Sequence, residues 1–210
     1  DPEMSRGLGD VYKRQVSQNI RMDYGISDWE GVKNILLTGE RDNFCVLRKS
    51  YRNTVEIANF ASDILAHGEF PGYGAEPVIR HGEAVGIRQT AGRDLYREAA
   101  KICKGWQTDG FDTIAVICRD QKQAQETAEL LQKELPVMPW DPEKASFEKG
   151  IMVFPVEYTK GLEFDAVLLL SPDRESYPID DGHAKLLYVA ATRALHRLEV
   201  LHTGNLTGLI

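Results

Sequence analysis

The feature that most limits what this chain can fold into is an alternation of short, fully apolar runs with segments of helical period. Thr113–Cys118 (TIAVIC) has no polar alternation, so it reads as a strand buried on both faces. Phe44–Leu47, Met152–Val156, Val167–Leu170 and Leu198–Leu201 read the same way, and Val85–Gln89 is a further strand. Helices are expected between them. Asn53 is read as a helix cap with Glu56 completing a capping box, and Ile57, Ala58, Ala61, Ile64 and Leu65 then mark one buried face. Asp94–Trp106 reads as a helix. Asp120 caps another, in which Ala124, Ala128, Leu131 and Leu135 recur on one side, and Ala184–Leu195 is the last. Strands alternating with helices predict a parallel sheet covered on both faces, an α/β sandwich.

The chain has 210 residues, room for one substantial domain or two small ones. No apolar run approaches the ~18 residues that a membrane span needs, so no membrane is expected as a partner. Cys45, Cys103 and Cys118 have no metal-type spacing, and two of them lie in apolar strand-like runs. They read as buried free thiols of a reducing, cytoplasmic setting. The net charge of −7 argues against tight, autonomous binding of nucleic acid, which draws its non-specific affinity from neutralised phosphates. His67, His81, His183, His196 and His202 form no ligand spacing, and no metal site is expected. Trp29, Trp106 and Trp140 read as core or contact residues, and Asp141–Lys149 as a solvated loop.

Ligands of parallel α/β sheets bind beyond the carboxyl ends of strands, and three segments that follow strands carry chemistry. Lys49-Ser50-Tyr51-Arg52-Asn53 offers a flat ring for a base and a guanidinium fork for phosphate oxygens. Glu157–Asp165 (EYTKGLEFD) joins two buried strands; Gly161 permits close backbone approach, Lys160 is a point charge, and Glu163 and Asp165 can orient cations. A tight solvated turn is the plainer reading. In the last helix, Arg193 shares a face with Leu186, Val189 and Ala190. A buried arginine needs a partner. A salt bridge to Glu163 or Asp165 would serve, and so would an incoming phosphate.

Taken in order, LRKSYRN resembles motif IV of superfamily 1 (UvrD/Rep-type) helicases, EYTKGLEFDAV motif V and LLYVAATRAL motif VI. VSQNI, at Val16–Ile20, is similar to the tail of motif III. The resemblance implies the second RecA-like motor lobe of the P-loop NTPase superfamily, a three-layer sandwich with a mostly parallel sheet. It implies ATP with Mg2+ as cofactor, bound between this lobe and an N-terminal one. Gln18 would sense the γ-phosphate, Tyr51 would stack on adenine and Arg52 would contact the γ-phosphate. Gly161 and Glu163 would sit at the nucleotide edge, and Arg193 would be the arginine finger. Residues 41–210 would form the lobe, and 16–40 the tail of the first lobe and a connector. Asp1–Gln15 resemble a translated sequencing adapter and are expected to be foreign, with a disordered native terminus as the alternative.

No GxxxxGK[ST] loop and no Asp-Glu strand are present. Those belong to the first lobe, expected upstream of Val16, so this chain alone is expected not to hydrolyse ATP. The positions after Gln18 that carry base-stacking aromatics in DNA-translocating relatives are Arg21 and Asp23, and Pro155 and Glu157 replace the usual Thr and His of motif V. With KGLEFDAV, ATRALHRL and HTGNLTGLI, these departures make the chain most similar to HelD-type RNA polymerase recycling ATPases, with helicase IV as the near alternative. The implied partners are the missing lobe and RNA polymerase or DNA. A non-catalytic interaction module that kept the fold is the second reading. A dinucleotide fold is disfavoured, because no GxGxxG follows the first strand.

Overall fold

The computed structural model describes residues 49–50, 52–67, 76–77, 80–141 and 149–210. Gln18, Tyr51, Cys45, Trp29, the Phe44–Leu47 run and the segments 1–15 and 16–40 lie outside the described residues. Lys49–Ser50 (β1) and Glu76–Pro77 (β2) form a small parallel pair. The main sheet has six strands. Gly86–Gln89 (β3), Thr113–Cys118 (β4), Met138–Pro139 (β5), Gly150–Pro155 (β6), Phe164–Leu170 (β7) and Ala194–His202 (β8) stand in the order β3-β8-β7-β4-β6-β5. Every pairing in it is parallel.

The pleat explains why the inner strands β4, β6 and β7 are almost wholly apolar. On one face Ala115, Ile117, Met152, Phe154, Val167, Leu169, Leu198 and Val200 pack under Val55–Ala66 (α1) and Asp181–Ala191 (α4). On the other, Ile114, Val116, Cys118, Ile151, Val153, Ala166, Leu168 and Leu170 pack under Leu95–Thr108 (α2) and Gln121–Leu131 (α3). Successive residues point to opposite faces, so the stretch of a strand covered by helices on both sides is apolar at consecutive positions. Each fully buried Ile or Leu contributes about 1.5–3 kcal/mol relative to exposure. The result is the three-layer α/β/α sandwich expected of the sequence.

The expected face of α1 is the buried one: Ile57, Ala58, Ala61, Ile64 and Leu65. Its cap is corrected by one residue. Thr54, not Asn53, accepts from Ile57 N–H. The capping box is absent too, because Glu56 turns outward to accept from His81 Nδ1 and Gly82 N–H at 2.9 and 2.8 Å. The bond from His81 and then that from Gly82 hold the Glu56 carboxyl down at about 2. Asp120 caps α3 as expected, accepting from Gln123 N–H. The predicted helix Ala184–Leu195 is corrected at both ends: α4 begins at Asp181 and stops at Ala191, so Arg193 stands beyond the Thr192 C-cap. The stop is physical, since Ala194 already opens β8 beside Phe164.

Trp106 is 4% exposed in the core, and Trp140 stacks on Tyr158 with ring centroids 3.8 Å apart. Cys103 and Cys118 are free and buried, and burial pushes both thiols up to about 12. Among the described residues no helix is long and apolar enough to cross a membrane. A thiol reagent at pH 8 is expected to leave Cys103 and Cys118 unmodified in the folded chain and to modify both in denaturant. Mass spectrometry of the labelled peptides checks this; fast labelling of either under native conditions would contradict the burial.

Candidate functional site

Residues of the three candidate segments, Arg52–Asn53, Gly161–Glu163 and Arg193, meet at one place, at the amino ends of β7 and β8 rather than beyond the carboxyl ends of the main sheet's strands. The reason is the connection from β6 to β7. After Pro155 the chain makes a 3₁₀ turn at Val156–Tyr158 and returns to the start of β7 with no helix between. Val156 and Leu162 pack into the α1/α4 side of the core on the way. Because β6 and β7 run the same way, this crossing carries Gly161, Leu162 and Glu163 to the amino edge. There Phe164 N–H donates to Arg193 O at 2.9 Å, which joins the end of that crossing to the turn between α4 and β8.

Arg193 is 2% exposed. Its Nε donates to Val189 O at 2.9 Å, Nη1 to Leu162 O at 3.1 Å and Nη2 to Thr192 Oγ1 at 3.2 Å. The expected salt bridge is therefore not the one formed: neither Glu163 nor Asp165 bonds to it. Glu163 pairs with Arg52 instead, at 2.8 Å. Asp165 is held at the start of β4, where it accepts from Asp112 N–H, Thr113 N–H and Thr113 Oγ1 at 3.0, 2.8 and 2.9 Å. Burial shifts the Arg193 pKa downward, the nearby Glu163 charge opposes this, and Arg52 adds to it. The group remains a cation, since guanidinium does not lose its proton in proteins.

Arg52 and Glu163 are more open, with side chains 63% and 35% exposed. Gly161 adopts φ +87°, a conformation that glycine reaches without steric cost. A Cβ there would meet no atom within 4 Å. The close approach expected at Gly161 is thus not to another part of the described chain, and its peptide is open to the outside. Lys160 is exposed beside it.

Sequence reasoning missed two members of this site. Asn53, read as a cap, is 6% exposed and donates Nδ2 to Thr192 O at 3.1 Å and Ala194 O at 2.5 Å. Arg80 Nη2 donates to Arg52 O at 2.7 Å and Leu195 O at 2.5 Å. Nothing local marks Arg80, because both acceptors are main-chain carbonyls far away in sequence. Beside it lies a groove of ≈ 450 Å³ lined in part by Thr54, Arg80, His81, Phe111, His196 and Arg197. Among the described residues no group of three or more His, Cys, Asp or Glu could hold a metal ion.

The chain is thus an all-parallel α/β sandwich, the fold of a RecA-like lobe, with Arg52 and Arg193 gathered beside the amino ends of β7 and β8. Residues 150–201, from β6 nearly to the end of β8, match the UvrD-like helicase C-terminal domain, and that segment contains Gly161, Glu163 and Arg193. The C-terminal domain of a possible DNA helicase from Lactobacillus plantarum WCFS1 has a similar structure, with a TM-score of 0.63 and 25% identity, covering 76% of this chain and 91% of that one. The ATP-dependent Type ISP restriction-modification enzyme LlaBIII, solved bound to DNA, aligns at a TM-score of 0.41 and 12% identity over 76% of this chain and 14% of that one. No curated protein sequence matches the chain.

The bonds predict a clear ranking of effects. Asn53→Ala leaves two main-chain carbonyls short of a donor in a buried setting and is expected to cost about 1–3 kcal/mol. Glu163→Gln removes a half-exposed ion pair and is expected to change stability by less than about 1 kcal/mol. Urea unfolding of both variants checks the order, and a larger loss from Glu163→Gln would refute it.

Proposed function

We propose that this chain is the C-terminal motor lobe of an ATP-dependent superfamily 1 helicase-like protein, supplying the trans side of a split ATP site. The observation that carries the reading is the convergence of Arg52, Glu163 and Arg193 on one edge. A buried guanidinium is costly unless its charge is met. Among the described residues, three of Arg193's five N–H groups have acceptors, all of them neutral. An anion arriving at that edge would complete the set, and Arg52 stands ready beside it with an exposed fork. Two cations at one place fit a polyphosphate better than a single anion.

On this reading ATP supplies the transferable phosphoryl group, and Mg2+ is held by carboxylates of the other lobe. Arg52 leaves Glu163 to meet the γ-phosphate, which is a cheap exchange for an exposed pair. Arg193 stabilises charge on the transferring group, acting as an arginine finger. Gly161 offers its open peptide to the nucleotide. Gln18 and Tyr51 would complete the site as γ-phosphate sensor and adenine stack. The finer reading is a cytoplasmic ATPase of the RNA polymerase recycling type, supported by the Arg21 and Asp23 departures from the base-stacking pattern. The DNA-translocating type is its alternative.

The chain alone is expected to turn over no ATP, whereas a longer protein in which a phosphate-loop lobe precedes Val16 is expected to do so. In that protein Arg193→Ala should lower kcat by roughly 10³-fold or more. Steady-state phosphate release measures all three. Turnover by the isolated chain would sink the split-site reading. A longer protein that is inert, or indifferent to Arg193→Ala, would favour an interaction module that kept the fold. Release of nucleic acid from stalled RNA polymerase, against translocation on DNA, separates the two finer readings.

A further inference from the structure

The two arginines of the site lie in segments about as far apart in sequence as the lobe allows, yet four hydrogen bonds tie their backbones together. Asn53 grips the carbonyls of Thr192 and Ala194, the residues on either side of Arg193. Arg80 does the reciprocal work. One nitrogen, Nη2, bridges Arg52 O at 2.7 Å and Leu195 O at 2.5 Å, so each of its two hydrogens has its own acceptor. The peptide of Arg52 and the turn that carries Arg193 are thereby held at a fixed spacing.

We propose that Arg80 is a positioning residue for the split ATP site: together with Asn53 it clamps the Arg52 backbone to the Arg193 turn, so that both guanidiniums meet one polyphosphate in register. The inference rests on the motor-lobe reading and deepens it. Magnitudes favour positioning over glue. Arg80 is exposed, and hydrogen bonds made in water's reach add little to stability. A fixed geometry is worth far more to catalysis, because a misplacement of about 1 Å can cost ~100-fold in rate. Arg80 also lies outside the three motif segments and in no part of the β6–β8 match, so its role follows from contacts alone.

Two measurements test this separately. In the chain by itself, Arg80→Ala is expected to speed amide exchange at Arg193, Ala194 and Leu195 by ~10-fold or more, with Ile114–Ile117 in the sheet centre unchanged. Unaltered exchange at the Arg193 turn would overturn the clamp. In the longer protein carrying a phosphate-loop lobe, Arg80→Ala should lower kcat ~100-fold and leave the KM for ATP within about threefold. Arg80→Lys should recover most of the loss, since an ammonium can still donate to both carbonyls. A wild-type kcat in Arg80→Ala, or no recovery with lysine, would overturn the positioning role. If the unsubstituted longer protein turns over no ATP, the motor reading fails, and the exchange measurement alone decides the clamp.

Discussion

The site depends on a guanidinium that is almost wholly removed from water. Arg193 follows directly on the C-cap of α4, where the last carbonyls of a helix have no partner of their own and carry the negative end of its dipole. By folding back, it donates to Val189 O in that last turn, and by reaching sideways it takes Leu162 O from the β6–β7 crossing. One side chain thus closes a helix and anchors a loop. A lysine could not do both with the same planar fork. Neutral carbonyls offset only part of the cost of burying the charge, which is why burial lowers its pKa while the Glu163 carboxylate works the other way.

That arrangement follows from the topology of the sheet. Consecutive strands that run the same way in one sheet, whether or not they are neighbours, require the chain to travel back along a strand's length between them. Between β7 and β8 that return is made by α4, which packs over the sheet with Leu187, Val189 and Ala190 fully buried. Between β6 and β7 it is made by extended and 3₁₀ chain alone. Both returns end at the amino edge, so Glu163 and Arg193 arrive side by side. Their strands hold that register through Phe164–Ala194 pairing. The edge is built by the same hydrogen bonds that build the sheet, and its precision is that of the sheet.

Much of this was legible in the chain. Strands buried on both faces announce themselves as apolar runs, and Thr113–Cys118 has the bounds expected of it. The buried face of α1 was equally plain, because a helix of 3.6 residues per turn writes its packing into the sequence. The misreadings share one cause, competition between local and distant partners. Asn53 and Thr54 can both cap a helix; Thr54 does so because Asn53 has two carbonyls of the Thr192–Ala194 turn within reach. Arg193 has the spacing of a helical residue, yet strand pairing at Ala194 ends the helix before it. Arg80 had no signal at all, since main-chain acceptors leave no trace in side-chain pattern. The edge that carries the site was misassigned for a related reason: where a connection crosses the sheet unaided, nothing in its composition says at which end its glycine will lie.

Two arginines at one edge need not be equivalent, and these two differ in what it costs to move them. Arg52 is mostly exposed, and its pair with Glu163 is of the kind worth about 1 kcal/mol or less. Water can take either partner's place, and another anion that of Glu163, with little penalty. Arg193 has three bonds inside the lobe and almost no exposed surface, so turning it outward would strip Leu162 O of its guanidinium donor and leave Val189 O with Thr192 Oγ1 in place of Arg193 Nε. Under the motor reading this divides the labour. Arg52 adapts to the phosphate chain as it arrives, whereas the phosphate chain must come to Arg193. On that reading, a lobe that keeps its second guanidinium fixed in this way would meet its partner as a rigid body. The geometry of closure, rather than the rotamer of the arginine, would then decide when the site is complete.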